Sequence, residues 1–453
     1  MPLLEAGALS KIAFVLLLYG DAPATTGLQL PNIYSWLDFI GLAAGASCNS
    51  PFEADLNRVA TVLYTSGTTG RPKGVPLSQA NLLHQICCLG VAVSPKPGDR
   101  VLSVLPIWHS YERSAGYFLL SCGCSQSYTN LRQFRSDLQR VKPHFMISVP
   151  RIWEAIHGGF YAALESMAPI KRLLLVGALA ISEANVSSWR CCLNLADTPQ
   201  KLPARAKGLL IAIATWPGAR LAAWLLWPAV RRGLVGGSLI IANSGGGALA
   251  KHLDSFFSAI GIQLLVGYGL TETSPVLTCR RSWANRSGSA GRPLLGTELR
   301  IVNADSREIL GKRPILNWGE RGLVLARGPQ VMAGYLRRPD ATAAVLDQEG
   351  WFDTGDLGFL LSDASLFLTG RAKDTIVLSS GENIEPAPLE AEIASFGFVE
   401  QVMLVGQDRR QLGALIVPRE EPLKLFASEA GVLADQPDFE LALTKALTRS
   451  FNK

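Results

Sequence analysis

Between Tyr64 and Gly74 the chain reads YTSGTTGRPKG, directly after the apolar run VATVLY. Thr65, Ser66, Thr68 and Thr69 bring hydroxyl donors, Gly67 and Gly70 let successive backbone N–H groups converge, and Lys73 adds a cation. Together these suit a polyphosphate, because an anion is held well where backbone donors line a concavity beside a positive charge. A plain polar turn uses the same residue types for their permissive dihedrals. The Walker arrangement does not apply, since the residue before Lys73 is Pro72 rather than glycine. The stretch therefore reads as a nucleotide loop of another kind.

Four further stretches carry candidate chemistry. NSGGGALAKHL (Asn243 to Leu253) ends an apolar run with glycines, Gly246 and Gly247 among them, that let a flat ring approach the backbone. VGYGLTETSP (Val266 to Pro275) ends the next run and holds Tyr268, Gly269, Thr271 and Glu272. WFDTGDLG and LTGRAKDTIVLSSGENIEP supply Asp356, Arg371, Lys373 and Gly381. Ligands collect at the carboxyl ends of strands, where the first two of these stretches stand.

The elements that must position them follow from apolar periodicity. IAFVLLLY, VATVLY, RVLSVLP, HFMISVP, SLIIANSG and IQLLVGYG are short apolar runs that alternate with helical stretches such as LSQANLLHQICCLGVAV. That alternation predicts an α/β fold with a parallel sheet wrapped by helices. After about residue 297 shorter segments with Gly and Pro turns predict a β-rich region. No internal repeat stands out.

At 453 residues, 48% hydrophobic and 18% charged, the chain is expected to fold into a large globular core. The net charge of +6 comes from scattered rather than clustered Lys and Arg, so nucleic acid is not expected as a partner. Eight cysteines lack zinc or C-x-x-C spacing and fit a reduced, cytoplasmic setting. The apolar amino-terminal run after Lys11 reads as a buried parallel strand rather than a signal peptide, since Glu5 spoils the basic leader. Residues 205–232 form a greasy segment with Trp216, Trp224 and Trp227 and, between Lys207 and Arg231, only Arg220 as a charge. It reads either as two short helices, divided by Pro217 and Pro228, peripheral on a membrane surface, or as a buried hairpin.

The five motifs, in this order, resemble those of the AMP-forming adenylate ligases, the superfamily of acyl-CoA synthetases, luciferases and peptide-synthetase adenylation domains. LPIWHSYERS, SVPRIWEAI, VGYGLTETSPVLTCRRSW and AKDTIVLSSGENIEP bring the chain nearest the long-chain acyl-[acyl-carrier-protein] synthetases of cyanobacteria and plant plastids. The resemblance implies an adenylate-forming ligase fold: a large adenylation domain over residues 1–370 and a hinge with a small mobile lid over 371–453. It implies ATP phosphates on Thr65 to Gly70 near Lys73, adenine against Tyr268 and the backbone of Gly246 and Gly247, and ribose hydroxyls on Asp356 with Arg371 nearby. Gly269 belongs to the same nucleotide stretch, Thr271 would donate to the phosphoryl group and Glu272 would ligate Mg²⁺. His109 would stand between the sites of the two half-reactions, Lys373 at the hinge, and Gly381 in the thiol tunnel. The implied activity is conversion of a long-chain fatty acid to its acyl-adenylate, then to a thioester of acyl-carrier protein or, alternatively, of coenzyme A.

Two departures accompany the resemblance. The glycine-rich loop that presents a catalytic lysine near the family's carboxyl terminus is not found. Lys453 instead follows Phe439, Leu443, Leu447 and Phe451, spaced as on one helix face. The first subdomain is also mostly missing before Thr65. These features predict either a piece of a complete ligase or a natural remnant that binds nucleotide or lipid without efficient turnover. A membrane-bound scaffold without nucleotide chemistry would leave Glu272, Asp356 and Arg371 unexplained.

Overall fold

The computed structural model describes residues 14–17, 32–35, 41, 55–65, 72–304, 306–310, 320–380, 382–394, 396, 398–419 and 423. Ser66, Gly67, Thr68, Thr69, Gly70 and Gly381 lie outside the described residues, as do Phe439, Leu443, Leu447, Phe451 and Lys453. Contacts divide the chain into two units, residues 1–55 and 56–453. In the first, β1 (Phe14–Leu17) pairs in parallel with β2 (Asn32–Ser35), so the amino-terminal run forms a strand of the expected direction.

The second unit is built on a seven-stranded sheet. It contains β5 (Arg100–Ser103), β6 (Ser125–Tyr128), β7 (Phe145–Ser148), β8 (Ile241–Ser244), β9 (Gln263–Gly269), β10 (Val276–Cys279) and β11 (Arg292–Pro293), in the order β11-β10-β9-β8-β7-β5-β6. From β9 to β6 every pair is parallel, while β10 and β11 run antiparallel at one edge. Strands buried on both faces need continuous apolar runs, and all four residues of β7 are buried. Met146, Ala242 and Leu264 face one core with the Pro150–Glu165 and Lys251–Ala259 helices. Phe145, Ile147 and Leu265 face the other core with the Ser110–Ser121 helix.

The run VATVLY becomes β3 (Val59–Thr65), but it pairs antiparallel with β4 (Lys73–Ser78) instead of joining the parallel sheet. Only seven residues separate the two strands, too few for a parallel crossover, which needs a dozen or more. β4 leads directly into the Gln79–Cys88 helix, where Ser78 and Asn81 exchange capping bonds of 2.9 and 3.2 Å. The β-rich region is a four-stranded antiparallel sheet of β12 (Glu298–Val302), β13 (Gly322–Arg327), β14 (Phe352–Leu360) and β15 (Leu366–Arg371). Beyond it come the small hairpins β16 (Ile376–Val377) with β17 (Asn383–Ile384), and β18 (Val399–Val405) with β19 (Gly413–Pro418).

Pro217 does not split the greasy segment. Leu202–Leu225 is one helix with Pro217 inside it, and Pro228 sits in the first turn of the next helix, Trp227–Val235. Proline removes one backbone donor from a helix interior, yet packing against the Pro169–Cys192 helix runs along the segment. Asn185 Nδ2 donates to the Ala212 carbonyl at 2.8 Å, and Gly208 lies against Ser188 and Cys191.

Candidate active site

The carboxyl ends of β8 and β9 bring the glycine loop and the tyrosine stretch together. Ser244 pairs with Val266, so the chain leaves β8 toward Gly246 and Gly247 beside the strand that carries Tyr268. Gly246 has φ +74°, a left-handed conformation that favours glycine, and both it and Gly247 are exposed. At Gly269 a Cβ would run into the carbonyl oxygen of Pro275, so the turn that brings β10 back against β9 accepts no side chain there.

Tyr268 donates its hydroxyl proton to Asp356 Oδ2 at 2.7 Å, and Arg371 Nε donates to Asp356 Oδ1 at 3.0 Å. The second contact follows from strand register, since Asp356 on β14 stands opposite Arg371 on β15. Asp356 is only 6% exposed. Burial pushes its pKa up, and the bonds from Tyr268 and Arg371 oppose that shift. Burial, then the neighbouring Asp356, push the Tyr268 hydroxyl far up, so it remains a donor. A buried carboxylate already ringed by donors is suited to accept hydroxyl groups of a ligand.

A second cluster surrounds Glu272. It lies in the short 3-10 helix Thr271–Thr273 that follows β9 and is 9% exposed. Tyr335 donates its hydroxyl to Glu272 Oε1 at 2.9 Å, and the Met332 N–H donates to the Glu272 carbonyl at 2.8 Å. Lys73 Nζ stands 4.7 Å from the centre of the Tyr335 ring, a cation–π contact. Thr65 and Lys73 face one another across the β3–β4 hairpin, and Leu336 N–H donates to the Gly74 carbonyl at 2.9 Å. The segment carrying Tyr335 is held from below by Asn81, whose Nδ2 donates to the Pro329 and Val331 carbonyls at 2.7 and 3.2 Å. Glu272 and Lys73, far apart in sequence, thus share one tyrosine.

His109 caps the Ser110–Ser121 helix: its Nδ1 accepts from the Tyr111 N–H at 3.2 Å, which in the neutral ring leaves the proton on Nε2. Desolvation lowers its pKa below the ordinary imidazole value. The helix it caps reaches Thr271 through Ser110 Oγ, 3.5 Å from Thr271 Oγ1. Beneath lies an apolar pocket lined by Tyr111, Phe118, Leu119, Phe145, Asn243 and Cys279. A larger cavity of about 1180 Å³, whose wall includes Trp108, Leu131, Phe134 and Ile156, opens beside β5 and β6. Lys373 is exposed in the turn leaving β15, where Asp374 N–H closes on the Arg371 carbonyl at 3.0 Å.

Of the residues singled out from sequence, the structure joins Tyr268, Asp356 and Arg371 in one network, sets Thr271 against Ser110, and links Glu272 to Lys73 through Tyr335. Tyr335 itself escaped sequence reading. It sits in VMAGYLRRP, where a single glycine and the pair Arg337 and Arg338 match no site pattern, and its partner Glu272 is 63 positions away. No group of three or more His, Cys, Asp or Glu side chains able to hold a metal ion occurs among the described residues.

Comparison with known proteins shows the family and the fold. The AMP-binding enzyme family matches residues 21–336, and the AMP-binding enzyme C-terminal domain matches residues 373–436. A chloroplastic long-chain-fatty-acid–[acyl-carrier-protein] ligase of Arabidopsis thaliana is 38% identical over 443 residues, covering 91% of this chain and 60% of the relative. A putative fatty-acid–CoA ligase of Mycobacterium tuberculosis is 30% identical over 378 residues, covering 83% of this chain and 60% of the relative. The chain therefore spans about 60% of the length of these curated relatives. Among solved structures, ATP-bound MatB from Rhodopseudomonas palustris superposes with a TM-score of 0.60 at 22% identity, over 89% of this chain and 69% of that one. The o-succinylbenzoate coenzyme A synthetase of Bacillus subtilis in complex with AMP gives 0.59 at 21% identity, over 92% of this chain and 70% of that one. The fold expected from the motifs, parallel sheet wrapped by helices plus a β-rich region, is the fold of these proteins.

Proposed function

Since the chain belongs to the AMP-binding enzyme family, we propose that it activates a long-chain fatty acid with ATP and passes the acyl group to a thiol, that of acyl-carrier protein in preference to coenzyme A. The observation that carries this reading is the buried Asp356, held by Tyr268 and Arg371 at the strand ends beside the Gly246–Gly247 backbone. The names of the plant and mycobacterial relatives supply the acyl and thiol classes. The apolar pocket under the Ser110–Ser121 helix suits an aliphatic chain. We read residues 1–370 as the adenylation domain and 371–453 as hinge and lid.

In this reading the fatty carboxylate oxygen attacks the α-phosphorus of ATP, forming the acyl-phosphate bond and expelling pyrophosphate. A thiol sulfur then attacks the acyl carbonyl, forming the thioester, losing its proton and expelling AMP. No protein nucleophile is needed, so the chain contributes position and charge neutralisation. Asp356 accepts the ribose hydroxyls, and Tyr268 presents its ring to the adenine. Lys73 and the 65–70 loop take the phosphates, and Thr271 donates to the phosphoryl group. Glu272 fits a magnesium ion that arrives with the nucleotide, because Mg²⁺ takes one or two carboxylates and fills its remaining positions with phosphates and water. Bound there, the ion would neutralise phosphate charge. His109, whose pKa desolvation lowers, would stand between the sites of the two half-reactions, and Lys373 and Gly381 would serve the hinge and the thiol tunnel. A reduced, cytoplasmic setting agrees with the free thiols of all seven described cysteines.

The test is AMP release from ATP by the purified chain, with a long-chain fatty acid and either acyl-carrier protein or coenzyme A. AMP and acyl-carrier protein thioester formed in equal amounts, and lost in Lys73→Ala and Glu272→Ala, are the expected result. ATP binding with no AMP release would replace the ligase by a nucleotide-binding remnant.

A further inference from the structure

The helical hairpin of Pro169–Cys192 and Leu202–Leu225 has a protein-facing side and a bare side. Gly208 against Cys191, Asn185 bonded to Ala212 and Gly218 against Ile181 set the two helices antiparallel, which brings Leu174 level with Trp224. On the bare side Ile170, Leu174, Leu210, Trp216, Leu221 and Trp224 are 75, 63, 70, 52, 57 and 75% exposed. Leu202–Leu225 is the one described helix long and apolar enough to cross a membrane, about 36 Å at 1.5 Å per residue, yet its inner side is committed to protein. Solvent is a poor neighbour for so large an apolar face.

We infer that this face docks on the surface of an anionic lipid bilayer, lying in the headgroup region rather than spanning it. Charge decides the occupant. From residue 198 to 253 the chain has no Asp or Glu, while it carries Lys201, Arg205, Lys207, Arg220, Arg231, Arg232 and Lys251. Exposed Lys171, Arg172 and Arg220 border the apolar residues at the Leu174–Trp224 end. The neighbouring acid on the first helix, Glu183, is half-buried. Tryptophans beside arginines are placed as in helices that lie in the interface plane, with rings at headgroup depth and cations toward lipid phosphates. A protein partner would more commonly meet a face depleted of lysine and ringed by both signs of charge. The docked surface goes beyond the ligase reading and stands whether or not that reading holds.

Flotation of the full chain with phosphatidylcholine vesicles, with and without phosphatidylglycerol, tests it in the absence of nucleotide and fatty acid. The wild type should float with the anionic vesicles and release as salt rises. Arg220→Gln should weaken partitioning onto anionic vesicles by about fivefold, the loss of one cation near the surface. Leu221→Gln combined with Trp224→Ser should weaken it at least about tenfold. Both variants alter exposed positions, and an unchanged melting midpoint shows that the fold survives. Vesicle binding equal in wild type and variants, or absent from wild type, overturns the inference. So does a lipid-free dimer in sedimentation velocity that the double variant dissociates, since a second copy would then be the occupant. With no ATP or acyl substrate present, failure here is separable from failure of the ligase assay.

Discussion

Tyr335→Phe removes one oxygen and tests whether Glu272 is held in place for a cation. The lost hydroxyl donates to Glu272 Oε1 at 2.9 Å, while the ring beneath Lys73 Nζ remains and keeps its cation–π contact. A hydrogen bond to a charged group contributes about 1.5–3 kcal/mol, which corresponds to roughly 10- to 150-fold in an equilibrium constant. Groups that orient a metal-bound ligand cost about 10–100-fold in metal affinity when removed, in the same range. In the native site one carboxylate oxygen accepts from Tyr335, which fixes the orientation of the carboxylate. Without the hydroxyl that orientation is no longer fixed, and Glu272 would hold a Mg²⁺ ion less tightly. ATP–pyrophosphate exchange measured against free Mg²⁺ should show the half-saturating concentration rise by about 10–100-fold, with the rate at saturating Mg²⁺ changed by less than about threefold. Glu272→Gln should lower the rate even at saturating Mg²⁺. A Tyr335→Phe enzyme whose Mg²⁺ curve coincides with wild type would refute the role given to this contact. A rate loss independent of Mg²⁺ with a lower melting midpoint would make Tyr335 a packing residue.

Asp356→Asn should separate binding from stability. Because burial raises the folded pKa of Asp356 above its unfolded value, its ionised form at neutral pH costs folding stability. The variant should melt no lower than wild type while ATP affinity falls at least tenfold, about one hydrogen bond to a charged group; a lower melting midpoint with intact ATP binding in calorimetry would reverse that account. Arg280→Met should be severe. Asp254, with 1% of its side chain exposed, accepts from Arg280 at 2.8 Å and from Arg190 at 2.9 Å, and stripping one partner from a buried charge costs about 3–5 kcal/mol. An unfolding free energy from urea titration that changes by less than about 1 kcal/mol would show that Arg190 alone suffices. Acid should loosen the junction at Asp363. Burial would raise its pKa, but Arg292 and Arg286 more than offset this and hold it at about 2. Its contribution is complete above about pH 4 and lost as pH falls toward 2, the direction for a depressed carboxylate. In Asp363→Asn the slope of stability against pH over that interval should flatten, as followed by circular dichroism.

Motifs whose chemistry is local were legible in the residues alone. The apolar runs announced β5, β7, β8 and β9 because strands buried on both faces must be apolar throughout. The pairing of Asp356 with Arg371 was prefigured by two candidate residues that proved to be cross-strand neighbours. Pro217 misled in one respect: as punctuation it suggested a helix break, but tertiary packing against Pro169–Cys192 carries the helix through it.

The sequence by itself determined the class of fold, the residue types proposed to face the nucleotide and the greasy segment, since each depends on local composition and spacing. Tertiary structure alone decided that Tyr335 joins Glu272 to Lys73, that β3 turns back on β4 rather than entering the sheet, and that the greasy helix hides one side and bares the other. The physical reason is the same in each case. A side chain's type and a segment's periodicity are properties of neighbours along the chain, whereas a hydrogen bond across 63 positions, a strand's partner and an exposed face are set by whatever the fold packs against them.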